Sequence, residues 1–301
     1  MDVLFDDFEK KARESVSLYG HDAEHNFDHF LNQRTSAKLP VFVGFDSFKG
    51  VLAFKSKTGK LWYMFSEVLA PEKEKFDVFV SFVDYVFNKD GADRLQVEVD
   101  THFMDELKER LGEHNFRVGK EIYSLEWPLF DMKSWNGDKL EGKDWKKLRN
   151  LLHKFEREHK VEVVDSSSVS KEELSKVIVD WNKRRGADDF VRNQGYLNFI
   201  RNCFVGCDIA KSLVVDGVVS SITAGWRIPN SNNYYSAIGV LNYSVDGLGE
   251  VSNLFDLFEL KKRNFDVVNF GGSDPDLLEF KKKFRPSSSY KTHIFSIMRK
   301  E

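Results

Sequence analysis

Asn233-Tyr234-Tyr235-Ser236-Ala237-Ile238-Gly239-Val240-Leu241, followed by Asn242-Tyr243-Ser244-Val245-Asp246-Gly247-Leu248-Gly249, is the run that decides how this chain folds. Its first part mixes aromatic, β-branched and small residues and stops at a turn-prone segment, which reads as a strand. From Val251 to Leu260 the apolar residues Val251, Leu254, Phe255, Leu257 and Phe258 recur at helical spacing. Lys261-Lys262-Arg263 then puts positive charge in the last turn, where it suits the helix dipole. Gly247 and Gly249 therefore fall at a helix N-terminus. Amides exposed there, with the positive end of the dipole, hold a phosphate or another anion, and glycine lets it approach closely. The same glycines also fit plain turn chemistry, so the motif alone leaves both readings open.

Working outward, Phe265 to Phe270 is a short buried-strand pattern running into Gly271-Gly272-Ser273-Asp274-Pro275. Ser273 or Asp274 caps the next helix and Pro275 suits its first position. That helix, Asp276 to Phe284, carries Lys281, Lys282 and Lys283, with Arg285 after it and a strand from Tyr290 to Met298. Residues 233–299 thus read as strand, glycine turn, helix, strand, helix, strand, and we read them as a group-transfer site.

The segment from Asn269-Phe270-Gly271-Gly272-Ser273-Asp274 through Phe280-Lys281 to Phe284-Arg285-Pro286, with Tyr290 beyond, carries a resemblance. It resembles the carboxy-terminal signature of the phosphatidylglycerol lysyltransferase C-terminal domain-like family, long regarded as a domain of unknown function. Lys143-Asp144-Trp145-Lys146-Lys147-Leu148-Arg149-Asn150, followed by Phe155 and His159, is similar to the basic helix that opens that domain. The Phe280-Lys281 pair is also similar to one in the related Fem-type peptidyl aminoacyltransferases. The likeness covers residues 125–299 well and the first 120 poorly. It implies an α/β fold of two tandem acetyltransferase-like (GNAT, acyl-CoA N-acyltransferase) domains, each a mixed sheet flanked by helices. It also implies transfer from an aminoacyl-tRNA or an acyl-coenzyme A.

The order of elements repeats in a way that agrees with a tandem pair. In the first half, strands at Val41–Phe45, Val51–Lys55 and Leu61–Phe65 precede a helix over 72–88. A strand at Leu95–Val99, a helix from Asp100 or Thr101 to before Gly112 and a strand at Phe116–Leu125 follow. The second half has Ser212–Val215, an Asp216-Gly217 hairpin turn, Val218–Trp226, Tyr234–Leu241 and the elements already described. The expected division is a degenerate unit at 1–126 and a donor-binding unit at 127–301. The copies differ where it matters: in place of the glycines, the first has Glu67-Val68-Leu69-Ala70-Pro71-Glu72-Lys73-Glu74, whose carboxylates repel an anion. The first copy is accordingly expected to be a platform or acceptor wall.

Between the copies, residues 139–160 set eight Lys or Arg against four Asp or Glu, over an inner stripe of Trp145, Leu148, Leu152 and Phe155. Such a helix offers N–H donors to phosphates, or is a solvated face with helix-pairing charges. Ser170-Lys171-Glu172-Glu173 is a capping box for a helix ending at Trp181-Asn182-Lys183-Arg184-Arg185, and residues 194–206 form another. At the N-terminus, Leu4, Phe8, Ala12 and Val16 mark an amphipathic helix over 3–18. His21, His25 and His29 share a face if helical, and are expected on a polar surface helix rather than as a metal site.

Over 301 residues the net charge is −3 and the isoelectric point about 6.3, which argues against a dedicated nucleic-acid coat but leaves local basic patches and a tRNA partner open. No run approaches the roughly 18 apolar residues of a membrane span. The start of the chain is acidic and lacks the order of a signal peptide, so the expected location is cytoplasmic. Cys203 and Cys207 make no disulfide framework, and their spacing would place them on one helix face without completing a metal site.

Acyl transfer needs a polarised carbonyl, an acceptor that loses a proton and a leaving group that gains one. The donor phosphate or terminal ribose-phosphate is expected against the amides of Gly247, Leu248 and Gly249, with Arg149 and Lys281 as cationic partners. By the resemblance, Lys281 matches the Fem-type Phe-Lys position and is implied to hold donor or transition-state charge. Asp274 and Glu250 are candidates to take the acceptor's proton, and Tyr290 and Tyr235 to return one to the leaving group. Glu250 also suits a helix N-terminus electrostatically, and Tyr235 also suits strand packing. Coenzyme A enzymes of this fold usually show Gln or Arg, two residues, Gly, one residue, then Gly or Ala. Here Ser244 takes the first place and Asp246 opposes a pyrophosphate, which tips the choice toward aminoacyl-tRNA. No permanently bound cofactor or metal is expected. The acceptor is a small amine, a peptide or a lipid. A tandem fold that binds a metabolite without catalysis is the reading from another class.

Overall fold

The computed structural model describes residues 8–184 and 193–300. Two helices lead, α1 (Phe8–Tyr19) and α2 (Phe27–Asn32), and then come β1 (Lys38–Gly44), β2 (Gly50–Ser56) and β3 (Leu61–Met64). Next are α3 (Lys75–Asp84), β4 (Arg94–Asp100), α4 (Thr101–Arg110) and the 16-residue β5 (Phe116–Asp131). The middle holds α5 (Lys146–Glu158), β6 (Val161–Asp165), α6 (Lys171–Lys183) and α7 (Gln194–Arg201). The chain closes with β7 (Ile209–Val215), β8 (Val218–Arg227), β9 (Tyr234–Leu241), α8 (Leu248–Lys262), β10 (Val267–Asn269), α9 (Pro275–Lys282) and β11 (Ser288–Arg299). Leu4 and Arg185, at the outer ends of two expected helices, lie outside the described residues.

Among the described residues, 11 strands join one mixed sheet in the order β1-β2-β3-β4-β11-β5-β10-β9-β8-β7-β6. Each half runs antiparallel until a parallel pair, β3 with β4 and β9 with β10. The halves then exchange their last strands. β11 lies between β4 and β5, and β5 lies between β11 and β10, antiparallel to both neighbours in each case. The boundary expected after residue 126 falls inside β5, whose two neighbours, β11 and β10, both come from the second half. β6, absent from the expectations, pairs with β7 at the sheet edge.

Strand periodicity explains the layers. Val51 and Ala53 on β2 face the core under α3 and α4, whereas Leu52 and Phe54 face the core under α1 and α2. Successive side chains of a strand point to opposite faces, so a strand covered on both sides reads as a continuous apolar run. β8 repeats this: Ile222, Ala224 and Trp226 meet α6 and α7, while Ser221 and Thr223 look toward α8. Leu254, Leu257 and Leu260 are fully buried beneath α8. Each such side chain contributes about 1.5–3 kcal/mol over its exposed state.

Two local expectations are corrected. His21 and His25 precede α2 in an irregular loop, and His25 is fully buried. Its Nδ1 accepts from the amides of His21 and Asp22, both at 3.1 Å, and its Nε2 reaches the Glu67 carbonyl at 2.9 Å. A ring that satisfies three backbone groups ties the loop to the sheet, so the helical face did not form. Cys203 and Cys207 do not share a helix either: α7 stops at Arg201, and Cys203 and Phe204 take left-handed backbone angles.

Candidate functional site

The pairing of β9 with β10 ends at Tyr235 opposite Asn269, while β9 runs on to Leu241. Two parallel strands that part leave a wedge, and here it opens into a cleft of about 560 Å³. One wall is Ser236, Ala237, Gly239 and Leu241 of β9, and the other is Phe270, Gly271 and Gly272 after β10. Gly247 caps α8 at φ 77°, an angle that favours glycine, and lines the cleft with Asp246, Gly249 and Glu250. A side chain at Gly247 would meet Leu151 and Phe155 of α5, so the basic helix packs beside this end of the cleft.

Lys281 is the buried cation of the cleft. α9 begins at Asp274, whose carboxylate accepts from the Leu277 amide at 2.8 Å, and this cap aims Lys281 inward. Its Nζ donates to the carbonyls of Phe270 and, at 3.1 Å, Gly271. Burial pulls the ammonium down to about 7, with Asp274 acting weakly against it. A lysine poised there carries charge or gives up a proton near neutrality.

Opposite stands Asp256, on the buried side of α8 and 6% exposed. Ser236 donates to it at 2.7 Å and Thr223 bonds to it as well, yet burial still pushes its carboxyl up to about 6. No cation faces it among the described residues.

Tyr235 stands between this cleft and a second space. Its hydroxyl donates to Glu24 Oε1 at 2.9 Å, and it also lines a cavity of about 340 Å³ with His29, Glu98 and Trp127. That cavity shares Glu24, Phe65, Glu98 and Trp127 with a central cavity of about 270 Å³, whose wall adds His21, Asp22, Glu67, Asn269, Tyr290 and Thr292. Glu98 on β4 accepts from Thr292 Oγ1 at 2.7 Å. Burial, reinforced by the facing charges of Glu24 and Asp22, lifts its carboxyl to about 8 against that bond. Asp22 is also raised, by burial and then by Glu67. Glu67 itself stays low despite burial, because His21 at 2.7 Å and Lys75 at 2.8 Å hold its charge.

The structure therefore brings Gly247, Gly249, Glu250, Lys281 and Tyr235 to one cleft. Leu248 is buried in the core beside it, and its amide turns back to the Val245 carbonyl. Arg149 does not join the cleft: its guanidinium holds the carbonyls of Leu140 and Gly142. Asp274 spends its carboxylate on the cap of α9, so it acts through Lys281's helix. Tyr290 belongs to the central cavity, stacked on Trp127 with its oxygen accepting from Asn269 at 3.1 Å. Glu250 pairs with Lys283 at 2.7 Å on the rim. Asp256, Glu98, Asp22 and Glu24 were not among the expected site residues. The signal for Asp256 was a carboxylate set within the apolar run Leu254-Phe255 and Leu257-Phe258 of α8.

No protein-family model matches the chain, and no curated protein is significantly similar to it in sequence. Its fold is that of known structures. It superposes on the C-terminal domain of a candidate lysylphosphatidylglycerol synthetase from Agrobacterium fabrum with a TM-score of 0.66 at 15% identity, over 97% of this chain and 91% of that one. For FemX the TM-score is 0.63 at 13% identity, over 98% and 96%. For a tandem GNAT protein from the clavulanic acid biosynthesis pathway it is 0.60 at 10% identity, over 100% and 97%. The α/β fold with a mixed sheet flanked by helices, expected from the Phe280-Lys281 signature and its surroundings, is therefore found, here as one 11-stranded sheet. Among the described residues no helix is long and apolar enough to cross a membrane.

Proposed function

We propose that the chain is an acyltransferase built from two tandem GNAT-like units, and that its donor is an aminoacyl ester such as aminoacyl-tRNA. The observation that carries this reading is the cleft between β9 and β10, which holds a buried lysine and a buried carboxylate together. An aminoacyl group brings a carbonyl that becomes anionic during attack and an ammonium next to it. Lys281 suits the first, and Asp256, buried without a cation among the described residues, suits the second. A plain acetyl group has nothing to offer Asp256. Asp246 at the glycine turn is a poor neighbour for the pyrophosphate of coenzyme A, whereas α5 beside Gly247 offers Lys and Arg to a nucleic-acid backbone. The resemblance to Fem-type transferases supports the same donor.

In the transfer, the acceptor attacks the ester carbonyl directly, charge on the oxygen is met by Lys281, and the ribose hydroxyl leaves with a proton. Tyr235, bonded to Glu24, is placed to pass protons between cleft and cavities. The test is a calorimetric titration with a stable 3′-aminoacylamido-adenosine and, separately, with acetyl-coenzyme A. Saturable binding of the first, weakened about tenfold or more by Asp256→Asn, supports the aminoacyl donor. Binding of acetyl-coenzyme A alone would make the protein an acyl-coenzyme A transferase. Binding of neither would leave a ligand-binding tandem fold.

A further inference from the structure

The sheet contains a second wedge. β3 and β4 pair in parallel from Leu61 opposite Arg94 to Met64 opposite Val97, and there β3 ends. Phe65 and Glu67 beyond it, with Glu98, Val99 and Asp100 of β4, line the central cavity. This is the counterpart, in the first half, of the cleft between β9 and β10. The cleft between β9 and β10 sets Lys281 beside its carboxylates, whereas the wedge between β3 and β4 gathers carboxylates with no lysine lining it.

Those carboxylates are not equally satisfied. Glu67 is held by His21 and Lys75, and Glu24 by His29 at 2.7 Å and by Tyr235. Asp22 has only the Glu67 amide at 3.0 Å, and Glu98 only the Thr292 hydroxyl. Among the described residues Glu98 faces no cation and Asp22 only the neighbouring His21, which Glu67 already holds, and carboxylates so placed cost free energy until a counter-charge arrives. One further group points the same way: His29 Nδ1, lining the adjoining cavity, is buried without a partner among the described residues while its Nε2 faces Glu24. The walls between them are aromatic, Trp127 stacked on Tyr290 with ring centroids 5.6 Å apart, which suits an alkyl chain ending in a cation.

We infer that this central cavity receives the acceptor, and that the acceptor is a primary amine whose ammonium is held by Glu98 and Asp22. The inference rests on the acyl-transfer reading for its chemistry, though not for its binding. The ionised Glu98 takes one proton from the ammonium. The free amine nitrogen bonds to the donor's carbonyl carbon, the ester carbon–oxygen bond breaks, and the nitrogen's second proton leaves on the donor's hydroxyl. Glu98 returns its proton to solvent, and the product is an amide.

The experiment uses the whole chain without donor. n-Pentylamine and its neutral counterpart 1-pentanol are titrated while the indole N–H signal of Trp127 is followed by NMR. That N–H donates to Thr292 Oγ1 at 2.9 Å, next to Glu98, and Trp127→Phe assigns the signal. Saturable shifts with pentylamine and none with pentanol are expected, with affinity lowered about tenfold by Glu98→Gln and again by Asp22→Asn. Equal response to the alcohol, no response to the amine, or unchanged affinity in both variants would overturn the proposal. The dispersion of the indole signals before titration reports whether each variant is folded. Amine binding that persists while the aminoacylamido-adenosine fails to bind would sink the donor reading and leave this one standing.

Discussion

Replacing Glu98 by glutamine should make the protein more stable, by an amount that grows with pH. The carboxyl titrates near 8 in the folded chain against an ordinary 4.5. Between those values the folded state keeps a proton that the unfolded state has released, so wild-type stability falls as pH rises and levels off above 8. Each unit is worth about 1.4 kcal/mol, so the loss reaches about 3 kcal/mol at pH 7 and at most about 5 kcal/mol by pH 8. Glutamine has the shape of the protonated acid, accepts the Thr292 bond and does not titrate. Wild type and Glu98→Gln should thus coincide below pH 4.5 and diverge above it. In urea, with a slope of about 3 kcal/mol/M, the midpoint at pH 7 should move up by about 1 M. Equilibrium unfolding at pH 4.5, 6, 7 and 8 measures this. A difference between the proteins that does not change with pH, or a variant weaker than wild type at pH 8, would refute the reasoning that Glu98 lacks a counter-ion.

Lys281→Met should remove a pH dependence of opposite slope: the folded lysine releases its proton near 7 and the unfolded one near 10.5, so wild-type stability rises across that window and the variant's should not. The same variant should lose transfer activity in single-turnover assays at saturating donor. Asp256→Asn should spare the protein about 3 kcal/mol of stability lost between pH 3.8 and 6, while weakening the aminoacylamide probe, as read by urea unfolding and calorimetry. His25→Phe leaves two loop amides and one carbonyl without partners and should cost about 2–5 kcal/mol in the same unfolding assay. Gly247→Ala should cost about 1–2 kcal/mol from its φ of 77° alone, since the added methyl meets Leu151 and Phe155 at no less than 3.5 Å.

Elements with strong local signals were legible in the chain. The β9 pattern, Gly247 before α8, the Asp274-Pro275 start of α9 and the Ser170 capping box all stand where local chemistry put them, because caps, turns and periodicity act over a few residues. Long-range pairing was not legible. Nothing in Tyr290 to Met298 announces that this strand crosses into the other half's sheet, and β6, though three of its five residues are valine, is short and largely exposed. The cleft was half readable. Lys281 and the glycines belong to a motif, whereas Glu98 alternates with Val97 and Val99 like any half-exposed strand residue. Only the sheet order, which sets β4 beside β11, shows that it faces Thr292 and a closed space. His25 misled because a histidine that binds three backbone groups has the same spacing as one on a helix.

The exchange of β5 and β11 governs how the polypeptide comes to be folded. β11 is synthesised after every strand it joins, and it fills the slot between β4 and β5, some 160 or more residues earlier in the chain, as in Trp127 Nε1 to Thr292 at a separation of 165. A nascent first half emerging from the ribosome therefore leaves one edge of β4 and both edges of β5 open to water until β10 and β11 arrive. Closing so long a loop is slow, and open edges in the interval invite pairing with other chains. Rapid capture of β11, or a chaperone that shields β4 and β5, becomes part of making this molecule.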